Sequence, residues 1–121
     1  MARGWGRKFR EAFHGIAVVY RKESSFRVHT AVAVLVLVLA ALLRCEAMEW
    51  CVLLLCIGVV LAAETFNASI ETLFHALDGE IQQRMTACLD RAAGAVLLVC
   101  FAAAAVGLVI FGRRVWLLFN S

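Results

Sequence analysis

The stretch WCVLLLCIGVVLAA at residues 50–63, followed at once by ETFNASIE at residues 64–71, decides the fold of this protein. The first part is wholly apolar and would form about 21 Å of helix at 1.5 Å per residue. The second part adds Glu64, Asn67 and Glu71 and contains no proline or glycine that would end the helix. We therefore predict a helix that crosses a membrane and carries polar and acidic groups at one end.

Two more apolar segments flank this helix, so the sequence predicts three transmembrane helices, at residues 28–43, 50–77 and 92–111. A span needs about 20 mostly apolar residues. The composition agrees with this prediction, because 64% of the 121 residues are hydrophobic, none is proline and the mean hydropathy is +0.87. Residues 78–90 are polar and are predicted to form a loop. We predict an all-α membrane protein with one domain over residues 1–121.

The N-terminal segment, residues 1–22, is predicted to be an amphipathic helix in the plane of the membrane surface. Large apolar side chains recur at helical spacing while basic residues fall mainly on the other faces, the apolar positions being Trp5, Phe9, Phe13, Ile16 and Tyr20. An ordinary helix packed against a core is the alternative. The first 27 residues carry seven Lys or Arg and no continuous apolar core, so we expect no cleavable signal peptide.

The distribution of basic residues predicts the orientation. With the N-terminus in the cytoplasm, that side holds nine of the 12 Lys and Arg residues: Arg3, Arg7, Lys8, Arg10, Arg21, Lys22, Arg27, Arg84 and Arg91. The other side holds Arg44, Arg113 and Arg114. This asymmetry follows the positive-inside rule. It predicts a multi-pass membrane protein with the N-terminus, the 78–90 segment and the acidic end of the second span on the cytoplasmic side.

Glu64, Asn67 and Glu71 are spaced i, i+3 and i+7 and therefore share one helix face. Ionisable groups at membrane depth usually face a bundle interior or a water-filled cavity. Glu23 and Asp90 are predicted to lie at the same membrane level. Such a set of acids could bind a hard cation such as Mg²⁺, accept a proton, or do both. The alternative is a solvated rim in which the acids pair with nearby basic residues, namely Arg21, Lys22, Arg27 and Arg91.

Three stretches resemble a known family. ETFNASIE at 64–71 resembles the ExxNxxxE signature of the small prokaryotic diacylglycerol kinase family, which includes undecaprenol kinases. ESSFRVH at 23–29 resembles its E-x-x-FR-x-H segment, and LDRAAGAVLL at 89–98 resembles its KD-x-AAGAVLL segment. The three stretches occur in the family's order, and the resemblance covers roughly residues 9–105.

The resemblance implies a homotrimer with active sites shared between subunits, each subunit having three spans and an N-terminal surface helix. It implies transfer of the ATP γ-phosphate to a lipid hydroxyl at the cytoplasmic interface, with Mg²⁺ as cofactor. A membrane lipid and ATP are the expected partners, and we expect no nucleic acid. The implied site residues are Glu64 as general base, Glu23 and Glu71 as magnesium and nucleotide ligands, Glu80, Asp90 and Arg91 near the nucleotide, Asn67 as a residue that organises the site, and Tyr20 and Phe26 beside Glu64 at the lipid.

Some positions depart from the family pattern. Leu89 stands where the family usually has lysine, and Arg91 or Arg84 is the candidate replacement cation. Ile81 and Gln82 replace a usual Tyr-His pair, and His75 replaces a frequent aspartate. Diacylglycerol is the favoured lipid and undecaprenol the alternative. An inactive relative that serves as a membrane interaction protein, and a small ion or proton transporter, are further hypotheses. The transporter hypothesis is disfavoured because transporter acids usually lie near the bilayer midplane.

The remaining chemistry-bearing residues are predicted to be structural. The five cysteines form no CxxC pair, and three of them lie inside apolar runs, so we expect them to pack as small apolar residues. His14 and His29 are expected to be interfacial hydrogen-bonding residues rather than ligands.

Overall fold

The computed structural model describes residues 4–120, which form helices joined by short turns. In chain order the helices are α1 (Trp5–Lys22), α2 (Ser24–Leu42), α3 (Ala47–His75), α4 (Gly79–Arg84) and α5 (Thr86–Phe119). The first three residues of the predicted surface helix, with Arg3, and the last residue of the predicted domain lie outside the described part of the chain. The aromatic side chains of α1 are exposed. Its position on the membrane surface stays a prediction.

Within residues 4–120, three helical segments are long and apolar enough to cross a membrane: α2, α3, and α5 together with the short α4. The predicted all-α membrane fold with three spans is therefore confirmed. The helices differ in extent from the predicted spans. Helix α2 begins at Ser24 instead of residue 28, and α3 ends at His75 instead of residue 77.

The largest difference concerns the predicted loop at 78–90, which contains α4 and the first turn of α5. Helix α5 runs from Thr86 to Phe119 instead of from 92 to 111. Asp90 consequently lies in the second turn of α5 and does not open the helix as predicted. The physical reason is that hydropathy marks only the part of a helix inside the hydrocarbon, whereas backbone hydrogen bonds continue wherever no proline interrupts them.

Helix α3 is the centre of the bundle, because it packs against α5 along one side and against α2 along another. The buried residues of α2 recur every seven positions, at Phe26, Ala33 and Ala40. Small residues let membrane helices approach closely. The buried stripe of α3 contains Glu49, Leu53, Val60, Glu64 and Ala68. Glu64 therefore lies in the packed interior, on the stripe that its apolar neighbours define.

The joint between α1 and α2 is a single residue, Glu23, in extended conformation. Its backbone N–H donates to the carbonyl of Val19 at 2.8 Å. Arg27 Nη1 donates to the carbonyl oxygens of Tyr20 and Arg21, at 2.8 and 2.7 Å, and so satisfies the end of α1. These bonds hold α1 beside the first turn of α2.

The opposite end of the bundle is joined by an ion pair. Arg114 Nε donates to Oε1 of Glu49 at 2.7 Å, and Arg114 Nη2 lies 3.1 Å from Oε1 of Glu46. Glu49 is buried in the first turn of α3, and Glu46 is its N-cap residue. The last turns of α5 are therefore attached to the start of α3, about 22 Å along α3 from Glu64.

Candidate active site

Glu64 is the most deeply placed acid at the end of the bundle where α1 meets α2, and only 5% of the residue is exposed. Two side chains of α2 reach its carboxylate. The Ser25 hydroxyl donates to Oε2 at 3.2 Å, and His29 Nδ1 lies 2.9 Å from Oε1. An ionised carboxylate away from water is stable only when charged or hydrogen-bonding partners satisfy it. The structure provides such partners.

Ser25 and His29 are four residues apart on α2, so one face of that helix presents both to α3. Neither residue is predicted from the sequence as a partner of Glu64. His29 was predicted to be an interfacial hydrogen-bonding residue, and no basic residue lies within one helical turn of Glu64 along the chain. The only available signal was the spacing i, i+4 of the two polar residues inside ESSFRVH, at the start of an otherwise apolar helix.

Asn67 and Glu71 form a second polar group, about one to two turns beyond Glu64 on α3. Asn67 Nδ2 donates to Oε1 of Glu71 at 3.2 Å. Within residues 4–120, Asn67 Oδ1 is buried and has no hydrogen-bond partner. A carboxylate beside an unsatisfied amide oxygen offers the oxygen ligands that Mg²⁺ prefers. The donor chemistry here therefore fits a magnesium ion that completes its coordination with phosphate and water oxygens.

The other predicted site residues lie around these two groups without joining them. Glu23 is half-buried at the joint of α1 and α2, and its side chain does not cap α2. Glu80, Asp90 and Arg91 are exposed. In the described chain, no three His, Cys, Asp or Glu side chains come together as a metal-binding cluster. The four acids predicted at one membrane level thus do not form a single cluster in the described part of the chain.

Tyr20 and Phe26, the predicted lipid contacts, pack edge to face with ring centroids 6.4 Å apart. Phe26 is buried under this contact, whereas Tyr20 is exposed. Within residues 4–120, Glu64 lies at ion-pair distance from His29, and none of the ion pairs shown joins an acid of the predicted rim to its predicted basic partners, Arg21, Lys22, Arg27 and Arg91. Arg27 in particular donates to backbone carbonyls instead.

An apolar groove between α2, α3 and α5 leads to this site. His29 and Cys100 belong to its lining, together with aliphatic side chains such as Val32, Val60 and Leu108. Cys100 Sγ lies 3.5 Å from His29 Nε2, so α5 also contacts the histidine. The polar group around Glu64 therefore borders an apolar surface that is open to the side.

Gln82 links α4 to α3, although in the sequence it stands out only as a departure from the family pattern. Its Nε2 donates to the carbonyl of Phe74 at 3.2 Å, near the end of α3. Gly79, with a φ of +55°, makes the turn between these helices, in a conformation that glycine adopts without strain. Glu80 and the start of α5 are thereby held beside the acidic end of α3.

Three helices long and apolar enough to cross a membrane, with a buried carboxylate near one end of the bundle, define a small integral membrane protein with a polar group at that end. Comparison with known proteins gives the family. The sequence profile described as prokaryotic diacylglycerol kinase matches residues 10–111, and the chain belongs to this family.

Two relatives have assigned names. A diacylglycerol kinase of Synechocystis sp. is 35% identical over 100 residues, which are 82% of this chain and 57% of the relative. An undecaprenol kinase of Bacillus subtilis is 31% identical over 105 residues, which are 87% of this chain and 85% of the relative. The chain thus spans little more than half the length of the Synechocystis protein. No solved structure is significantly similar to the chain.

Proposed function

We propose that this protein is an integral membrane lipid kinase that transfers the γ-phosphate of ATP to the hydroxyl group of diacylglycerol and so forms phosphatidic acid. The observation that carries the proposal is the Glu64 carboxylate, buried at membrane depth with partners from α2, in a chain of the prokaryotic diacylglycerol kinase family. Undecaprenol is the alternative substrate, supported by the similarity to the Bacillus subtilis undecaprenol kinase over most of its length.

Glu64 is the proposed general base. It would accept the proton of the lipid hydroxyl while that oxygen forms a bond to the γ-phosphorus and the bond from phosphorus to the bridging oxygen of ADP breaks. A carboxylate has about four lone-pair sites. Ser25 and His29 approach one oxygen each, so sites remain for the substrate proton. The lateral groove supports a substrate that approaches from the lipid.

Glu71 and Glu23 are the proposed magnesium ligands, and Mg²⁺ bound there would reduce the negative charge of the ATP phosphates. Asn67 would hold the Glu71 carboxylate in one orientation through its amide hydrogen bond. Glu80, Asp90 and Arg91 are proposed to bind the nucleotide. Arg91 follows Asp90 directly and would supply the cation that Leu89 does not.

The proposed setting is the cytoplasmic membrane of a bacterium, with the N-terminus and the site on the cytoplasmic side, where ATP is available. We also propose a homotrimer with shared sites. None of the residues of α5 is buried within the single chain, which leaves its apolar faces available to lipid or to another subunit. A neighbouring subunit would also bring a second set of acids near the Glu71 group.

An assay of lipid phosphorylation by the purified protein tests the proposal directly. The protein in bilayer nanodiscs would receive radiolabelled ATP with diacylglycerol or with undecaprenol, in the presence and absence of Mg²⁺. We expect label in phosphatidic acid, and only with Mg²⁺. Label in undecaprenyl phosphate alone would identify undecaprenol, and not diacylglycerol, as the substrate. Label in neither product, from protein that keeps its helical content, would contradict the kinase proposal and favour the interaction-protein hypothesis.

The Glu71→Gln variant tests the magnesium assignment. We expect loss of at least about 100-fold in Mg²⁺-dependent lipid phosphorylation, because an amide lacks the charge that holds the ion. Glu11→Gln removes an acid from α1 that pairs with Arg7, away from the proposed site, and should keep its activity. Full activity of Glu71→Gln at low Mg²⁺ would show that Glu71 is not a magnesium ligand.

A further inference from the structure

The side chain that the proposed mechanism leaves without a role is His29, which touches both the proposed base and a thiol. Its Nδ1 lies 2.9 Å from Oε1 of Glu64 on α3, and its Nε2 lies 3.5 Å from Sγ of Cys100 on α5. About a quarter of the His29 side chain is exposed, against 6% of the Glu64 side chain. The ring thus links three helices at the level of the buried carboxylate.

The chemistry of the two neighbours selects one arrangement of protons. A neutral imidazole has one N–H donor and one nitrogen acceptor. An ionised carboxylate only accepts, so the proton belongs on Nδ1, next to Glu64. A thiol is a weak donor, so Cys100 can donate to the remaining lone pair on Nε2. Along this series of contacts, the Cys100 thiol donates to Nε2 of His29, and Nδ1–H of His29 donates to the Glu64 carboxylate.

The ring has to turn slightly to make this hydrogen bond. Nδ1 is buried, and within residues 4–120 it has no hydrogen-bond partner in the orientation observed. Glu64 Oε1 is nevertheless at ion-pair distance. Rotation about the last torsion of a histidine side chain is soft, so the ring can turn its N–H toward the oxygen at little cost.

We propose that His29 is a positioning residue for Glu64: its Nδ1–H holds the carboxylate in one rotamer, and the Cys100 thiol selects that tautomer. This inference rests on the proposed function, because Glu64 needs to be aimed at the lipid hydroxyl only if it serves as a base. The Ser25 hydroxyl supplies the second donor on the other oxygen. The histidine itself does not touch the substrate.

The variants His29→Asn and His29→Gln distinguish a role of His29 as a hydrogen-bond donor at Nδ1 from a role in which the ring only fills space. The amide nitrogen of asparagine reaches the position of Nδ1, whereas that of glutamine reaches the position of Nε2. We expect His29→Ala to lower kcat at least about 10-fold with little change in the KM for ATP, as for other residues that orient a reacting group. His29→Asn should recover most of kcat, and His29→Gln should not.

The control is His14→Ala, which removes a histidine from the exposed surface of α1 and should leave kcat unchanged. Equal activity of the alanine, asparagine and glutamine variants, whether high or low, would overturn the positioning role. So would a loss that appears in the KM for ATP and not in kcat.

Nitrogen-15 NMR of the histidine rings tests the same inference without any need for activity. The chain has three histidines, and the His29 signal is the one that His29→Asn removes. We expect Nδ1 to carry the proton in the wild type, and we expect Glu64→Gln and Cys100→Ala to shift Nδ1 and Nε2 respectively. A neutral ring protonated on Nε2 would overturn the inference even in an active kinase. If the wild type phosphorylates neither lipid, the proposed function fails, while the NMR result still decides the arrangement of the ring.

Discussion

Glu64 is a carboxylate in a place where most residues are apolar, and its neighbours explain how it is tolerated there. The penalty for taking an ion out of water is several kcal/mol even after the protein relaxes. Two polar side chains of α2, Ser25 and His29, lie against the carboxylate and offset part of this penalty without a Lys or Arg partner. Neither partner is a permanent cation, so the Glu64 carboxylate is not tied up in a salt bridge to Lys or Arg.

The Ser25→Ala variant should lower lipid kinase kcat by about 10-fold. A hydrogen bond to a charged group contributes about 1.5 to 3 kcal/mol, and part of that would be lost from the reacting carboxylate. The matched control is Ser24→Ala, since Ser24 is the exposed neighbour that begins α2. Initial rates at saturating ATP measure the effect. Indistinguishable rates for the two variants would show that the hydroxyl does not support Glu64.

At the scale of single elements, the turn between α2 and α3 has an unusual residue at its critical position. Arg44 has a φ of +54°, in the left-handed region. The N–H of Arg44 bonds the carbonyl of Ala41, and that of Cys45 bonds the carbonyl of Ala40, which is the Schellman pattern that usually has glycine at this position. The turn thus ends α2 correctly but holds an L side chain in a costly conformation.

Replacement of that residue by glycine should therefore stabilise the protein. We expect Arg44→Gly to raise the free energy of unfolding by about 0.5 to 1 kcal/mol, because relief of the left-handed strain exceeds the added flexibility of the unfolded chain. Arg44→Ala keeps the strain and controls for loss of the charge. Thermal unfolding in detergent, followed by circular dichroism, measures both. A lower melting temperature for the glycine variant than for the alanine variant would contradict the prediction.

At the scale of the whole molecule, α3 is attached to a different helix at each end. The Glu64 group connects it to α2, and the Arg114 ion pair connects it to α5. Arg114 and Glu49 are both largely buried, whereas Glu46 is mostly exposed, so the bond to Glu49 carries most of the interaction. The far ion pair thereby joins α5 to α3 at the end of the bundle away from the Glu64 group.

Removal of that ion pair should destabilise the whole bundle. We expect Arg114→Ala to lower the melting temperature clearly more than Arg113→Ala does, because it removes the guanidinium that is hydrogen-bonded to the Glu49 carboxylate. Arg113→Ala deletes the same charge from the exposed neighbouring position. Thermal unfolding of both variants in detergent measures the difference. Equal melting temperatures would show that the pair adds nothing to stability.

The sequence by itself determined the three spans, the N-terminal helix and the acidic face of α3. These features follow from local apolarity and from helical spacing, which depend on residues a few positions apart. Helix ends were less predictable, as the early start of α5 shows, because hydropathy does not report backbone hydrogen bonds outside the hydrocarbon.

Only the tertiary structure decided which groups surround the carboxylates. Ser25 and Glu64 are 39 residues apart, and Glu49 and Arg114 are 65 apart. Whether such pairs meet depends on how each helix is rotated about its axis when it packs, and that rotation is set by all the contacts along the helix together. The acidic face of α3 could therefore be predicted, whereas the histidine beside its buried carboxylate could not.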